Sequence, residues 1–175
     1  SIDVRDVGAI FPGPRGHVDF FRYHSVMENP QQNSLLISIA RIAAEAGMPS
    51  RIEKSTGLLA FSVDIDNGRR QMVYARQSTC LLKSRDDLAT IFSPCCVLSS
   101  EELSNATFLR SLLVKSGELP LGRFAIVPTK EEEKLLVLMC DQIVGTMEKE
   151  EILAVVEILA SEADEFERTR GRDDY

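Results

Sequence analysis

Asp64-Ile65-Asp66-Asn67-Gly68 is the stretch of this 175-residue chain that comes nearest to a metal-binding motif. Spaced carboxylates ahead of a glycine are how a calcium loop begins, because a hard cation needs six or more oxygens and a sharp turn. Here the glycine comes one place early, and the position of the closing bidentate glutamate holds Ala75, so the coordination shell does not close. Asn-Gly between two alternating apolar runs is instead a hairpin signal. Cys80, Cys95, Cys96 and Cys140 offer thiols, but Cys95 and Cys96 are adjacent rather than in a C-x-x-C spacing. His17 and His24 stand outside any zinc spacing relative to them. Three of the four cysteines fall in apolar, strand-like runs, where a free thiol behaves as a small hydrophobe, so Cys80 and Cys140 are expected to be buried.

The remaining candidates read as structure. Glu131-Glu132-Glu133 and Asp86-Asp87 are charge runs of the kind that solvate loops. The two histidines have no activated serine or cysteine motif beside them. Gly117 and Gly122 are followed by Arg123 rather than by the Lys-Ser/Thr of a phosphate-binding loop. The reading is of a protein without a catalytic, metal or cofactor site. A net charge of −7 repels phosphate backbones and argues against a nucleic-acid partner. No apolar run approaches the roughly 18 residues that span a bilayer, and residues 1–11 lack the pattern of a secretory signal. A cytoplasmic location without a membrane partner is the expectation.

With no chemistry to position, the order of elements carries the information. Residues 1–29 read as an N-terminal extension: Phe11–Gly16, FPGPRG, excludes helix and central strand, and the run after it suits one strand. Phe20, Phe21 and Tyr23 within that run are either core or a segment that docks on another chain. A single domain is expected over 30–171. Asn29, Pro30 and Gln32 open a helix whose apolar stripe is Leu35, Leu36, Ile39, Ile42, Ala43 and Ala46, stopped at Gly47. Leu59–Asp66 alternates as a half-buried strand, and Asn67-Gly68 turns it into Gln71–Gln77. Thr90–Leu98 is a third strand, with Pro94 marking an edge or bulge.

Ser99 and Glu102 form a capping box for a second helix, with Leu98 and Leu103 placed as its hydrophobic staple. Gly117 ends that helix. Arg123–Val127 and Lys134–Cys140 make a hairpin whose second strand, apolar on both faces, belongs inside the sheet. Thr146 caps a last helix striped with Ile152, Val155, Val156, Leu159, Ala163 and Phe166. The expected class is α+β, an antiparallel twisted sheet with helices packed on it, in the order α-β-β-β-α-β-β-α.

Two segments carry a resemblance. A leucine-rich helix, Leu109–Leu113, runs into Leu119-Pro120-Leu121-Gly122-Arg123-Phe124-Ala125-Ile126, and Ala160–Asp164 lies towards the end of the last helix. In this order the chain resembles class I type III secretion chaperones, and still more the YbjN-type bacterial proteins of the same fold. The FPGPRG extension has no counterpart there. The resemblance implies a small acidic homodimer that binds protein segments and carries no catalytic centre. Two readings of function follow: a chaperone-like protein- or peptide-binding protein, or a small-ligand sensing or regulatory domain. The second requires a closed pocket of about 300 Å³ with a few inward polar groups.

The second helix bears on association. Wound as one helix at about 100° per residue, Leu103, Ala106, Leu109 and Leu113 form one ridge, and Phe108 and Leu112 form another well round from it. A helix on a sheet needs only the first. Either the same chain covers Phe108 and Leu112, or they meet their symmetry mates across a two-fold axis, the contact expected for a homodimer.

Overall fold

The computed structural model describes residues 30–78, 87–129 and 133–170. FPGPRG, His17, His24, Phe20, Phe21, Tyr23, the Asn29 cap, Cys80, Asp86, Glu131 and Glu132 lie outside them. The first helix, α1 (Pro30–Glu45), buries Leu35, Leu36, Ile39 and Ala43 along the expected stripe. It closes as a Schellman motif: Met48 N–H donates to Ala43 O (2.9 Å) and Gly47 N–H to Ala44 O (3.0 Å). That geometry requires the left-handed backbone seen at Gly47, φ +77°.

Alternating apolar residues then give strands β1 (Ser50–Ile52), β2 (Leu59–Ile65), β3 (Arg69–Gln77) and β4 (Leu88–Leu98). The β2–β3 connection is a three-residue 3₁₀ turn, Asp66–Gly68, closed by the pair Ile65↔Arg69. It replaces the two-residue turn that Asn-Gly suggested, and Gly68 supplies the positive φ of +77°. Two short helices follow, α2 (Ser100–Ser104) and α3 (Ala106–Glu118), then β5 (Arg123–Pro128), β6 (Lys134–Ile143) and the long α4 (Lys149–Thr169). All strands pair antiparallel in one six-stranded sheet of order β1-β2-β3-β4-β6-β5. The α+β class therefore stands.

The element order differs from expectation in two places. β1 adds a fourth strand to the first run; it is only three residues long, with a polar Ser-Arg start, too short for alternation to reveal. The second helix is broken in two. Ser99 and Glu102 make the expected capping box, with Ser99 N–H donating to Glu102 Oε2 (2.7 Å) and Glu102 N–H to Ser99 Oγ (3.2 Å). Asn105 then leaves helical geometry (φ −86°, ψ 97°) and caps α3, its Oδ1 accepting from Thr107 and Phe108 N–H. A side chain that satisfies two orphan N–H groups offers the backbone a competitor to continuous helix.

α4 also starts later than Thr146, which sits in a 3₁₀ turn. The cap is Glu148, whose N–H donates to Glu151 Oε2 (3.0 Å). α1 and α4 lie on one face of the sheet and α3 packs against β5. The main core lies between, built from Phe61, Val73, Ile91, Leu136 and Leu138 of the strands with Leu36, Ile39, Ile152, Val156 and Leu159 of the helices.

The break at Asn105 leaves Leu103 on α2 and both remaining ridges on α3. Leu112 is 6% exposed and, with half-buried Phe108 and Leu109, packs on the main core, whereas Leu113 is 74% exposed. Within a single chain, the residues expected to meet a second copy thus face inward.

Candidate functional site

Strand pairing places the side chains of directly opposed residues on one face, so the register gives the second face of the sheet row by row. Ala60, Tyr74, Phe92, Met139 and Arg123 form a row across five strands; Pro94, Val137 and Ala125 form the next; Val97, Leu135 and Val127 a third. Most of these residues are apolar. Leu58, Phe92, Leu135 and Val137 are buried there as a cluster separate from the main core, with Tyr74, Val97, Ala125, Val127 and Met139 packed against it. β4 and β6 build this face because they are apolar at nearly every position, the sequence signature of strands buried on both sides. The bulge between Pro94 and Cys96 keeps the run of Val97 on this face.

Rings and charges finish the surface. Tyr74 stacks on Phe92, centroids 5.7 Å apart and planes at 29°, and the Arg76 guanidinium stands 5.8 Å from the Phe92 centroid. Burial, aided by the charge of Glu53, pushes the Tyr74 phenol up to about 12. On the rim, Asp141 accepts from Thr90 Oγ1 (2.6 Å) and Arg123 Nη2 (2.7 Å). Its burial would raise the carboxyl, but the bonds from Arg123 and Thr90 and the charges of Arg123 and Arg76 hold it below its ordinary value. Such a surface suits an apolar or aromatic segment of protein laid across it.

The sheet edge is less inviting. β5 is an outer strand, but Phe124 N–H donates to Ser116 Oγ (3.0 Å) of α3, and Pro128 has no N–H to give. With the outward donor of Phe124 capped and none at Pro128, Ile126 alone between them is left to donate outward, which offers little to an added strand.

On the helix face, a polar cluster pins the end of α4. Gln71 Nε2, with two hydrogens, lies within hydrogen-bond distance of three acceptors, Glu167 Oε1 (3.0 Å), Pro94 O (2.9 Å) and Ser93 Oγ (3.1 Å), and Ser93 Oγ donates to Met72 O (3.0 Å). Arg69 pairs with Asp164 at 2.9 Å. Arg170 pairs with Glu102, donates to Cys96 Sγ (3.4 Å) and lies over the rings of Phe108 and Phe166. Gln71, Ser93 and Glu167 are at most 1% exposed, so no substrate reaches them; they register α4 against the Pro94 bulge. Burial, with Cys96 and Glu167 beside it, pushes the Cys95 thiol well up, away from the reactive thiolate.

Two hollows lined by described residues bear on ligand binding. One is an open groove of about 290 Å³ lined by Val97, Leu98, Ser99, Ser100, Leu103, Glu133 and Lys134. The other, about 10 Å³, lies on the second face among Arg76, Phe92, Val127, Val137 and Met139, room for about one water. The groove is open to solvent, unlike the closed pocket that a small-ligand sensor requires, and Ser99 and Glu102 beside it are committed to the helix cap.

Of the residues singled out in the sequence, Asp64 lies near the end of β2, pairing with Arg70 at 2.8 Å, and Asp66 opens the turn. Cys95, Cys96 and Cys140 are buried free thiols. Asp87 accepts at its carbonyl from Val144 N–H (2.8 Å), and Glu133 likewise from Thr129 N–H (2.9 Å). Among the described residues, no three His, Cys, Asp or Glu side chains converge for a metal, and no helix is long and apolar enough to cross a membrane. The Gln71–Glu167 cluster was not foreseen; its members lie 96 positions apart, beyond any local pattern. Set against known proteins, the chain matches no family model and no curated protein.

Proposed function

We propose that this chain is a non-enzymatic, chaperone-like protein that binds segments of other proteins, and that the second face of its sheet is the binding surface. The observation that carries this reading is the apolar surface opposite the helices, continuous across β3, β4, β6 and β5 and built around the Tyr74–Phe92 stack. A sheet that only needed a core would alternate apolar and polar residues along β4 and β6. The resemblance to secretion chaperones and YbjN-type proteins points the same way, and a cytoplasmic homodimer belongs to the same proposal. A two-fold contact through α3 uses its exposed Leu113 and Val114, because Phe108 and Leu112 are turned to the chain's own core. Fluorescence anisotropy of labelled apolar peptides of ten to fifteen residues tests the reading. Binding at micromolar concentration that Ala125→Lys weakens at least tenfold supports it; equal binding by the wild type and by that variant overturns it.

A further inference from the structure

Among the described residues, the register places four arginines on the second face of the sheet. Arg51 stands opposite Ala60 in the Tyr74 row, Arg70 and Arg76 share the side of β3 that carries Tyr74, and Arg123 stands opposite Met139. Three of them have a carboxylate: Arg51 pairs with Glu53 at 3.8 Å, Arg70 with Asp64 at 2.8 Å and Arg123 with Asp141 at 2.7 Å. Arg76 has none among the described residues. Its neighbour along the row, through Thr90, is Asp141, and that carboxylate is already engaged by Thr90 and Arg123. The Arg76 guanidinium stands 5.8 Å from the Phe92 centroid, and its Nε is buried without a hydrogen-bond partner. A guanidinium does not give up its proton to escape such a site. The ring offsets part of the lost hydration, but an unpaired buried N–H still costs about as much as a lost hydrogen bond.

We infer that the protein segment bound on the second face carries an aspartate or glutamate among its apolar residues, and that this side-chain carboxylate pairs with Arg76. The inference rests on the binding surface proposed above and names the class of segment that surface selects. Charge complementarity carries it: the chain as a whole is acidic, at −7, yet the cation left over on this face is Arg76. Space agrees. Arg76, Phe92, Val127, Val137 and Met139 line a hollow of about 10 Å³, room for one water-sized atom, which one carboxylate oxygen fills. A phosphoryl group, with three oxygens and a double charge, is too large for it and asks for more than one cation. The guanidinium fork takes a carboxylate through two parallel N–H···O bonds, and apolar walls that exclude water strengthen them. A segment laid across the sheet runs on past β4, which has strands on both sides, so the carboxylate is a side chain's rather than a chain terminus.

The test uses labelled apolar peptides, blocked at both ends, in which a single glutamate is walked through the central positions and compared at each with glutamine. With the full chain, the glutamate form should bind about tenfold more tightly at one or two neighbouring positions. Arg76→Gln should bring the two forms to equal affinity; the readout is their ratio, which a general loss of binding does not move. Arg76→Met, which keeps the apolar stem, gives the same reading should the glutamine variant fail to fold. Glutamate and glutamine forms that bind the wild type equally at every position overturn the inference and leave the binding surface standing. A preference that survives loss of Arg76 but not Arg123→Gln overturns it too, since the carboxylate then sits elsewhere. So does tighter binding by an all-glutamine peptide with a free C-terminus than by any blocked glutamate peptide. If no peptide of either form binds, the binding surface itself falls, and this inference with it.

Discussion

Leu135 and Leu136 are neighbours on β6, both 0% exposed, and they point to opposite sides of the sheet. Leu136 belongs to the main core shared with α1 and α4, long helices whose stripes pack on the strands, the end of α4 being pinned by polar contacts such as Gln71–Glu167. Leu135 belongs to the cluster on the second face, where the described residues supply rings, methyls and a charged rim but no helix. Burial is equal; the cover differs. One face is a permanent core, held by many elements at once. The other is a smaller apolar cluster to which no described helix contributes, and it is the face on which the proposed binding of protein segments rests.

The substitution with the largest expected effect separates the two faces directly. Leu136→Ala should cost about 4 kcal/mol, because rigid neighbours cannot collapse into the cavity, and Leu135→Ala about 2 kcal/mol, because its smaller cluster has no described helix to hold it and can relax more. Urea midpoints at unchanged slope give both values; equal costs would make the second face as fixed a core as the first. Next comes Gly122, at φ +85°, where an added Cβ would stand 3.0 Å from Met139 O and 3.1 Å from Leu159 Cδ2. Gly122→Ala combines left-handed strain with a backbone clash and should lower stability by about 2 kcal/mol. It loosens β5, so peptide affinity should fall with it; unchanged affinity would separate β5 from the binding surface.

Ser99→Ala removes the cap that starts the passage from β4 to the helices, at a cost of about 1 kcal/mol. The urea midpoint checks it, and peptide binding should be unaffected, since the cap serves the helix side. The smallest effect is a pH dependence on the rim. Asp141 has a folded value below its ordinary 3.8, so its contribution is present above pH 3.8 and is lost as the pH falls through the lower folded value. Asp141→Asn should therefore flatten the stability profile below pH 3.8; an unchanged profile would show that the bonds from Arg123 and Thr90 do not hold the ionised form.

Much of this frame was legible because its signals are local. The Ser99–Glu102 box, the Gly47 stop, the stripes of α1 and α4 and the two-sided apolarity of β6 each sit within a few residues of sequence. β1 was missed because three residues hold no period. The break between α2 and α3 escapes the sequence because Asn105, two positions after Leu103 in an otherwise unbroken helical pattern, stops one helix and caps another. The second face was half visible: β4 and β6 announced that both their sides were apolar, but only the register that lines up Tyr74, Phe92 and Met139 joins them into one surface. The Gln71–Glu167 cluster depends on a fold that brings β3, the β4 bulge and the end of α4 together, and no window of sequence contains it.

The alternation along β6 also supplies the most direct test of the central claim. Methyl-labelled protein titrated with an apolar peptide reports both sides of the sheet from one strand, through Leu135, Val137 and Met139 on the second face and Leu136 and Leu138 on the helix face. The account predicts that methyl resonances of the three odd-numbered residues shift and saturate together while those of the two even-numbered residues stay in place. Shifts confined to Leu136 and Leu138, or to Leu113 and Val114 of α3, would contradict it.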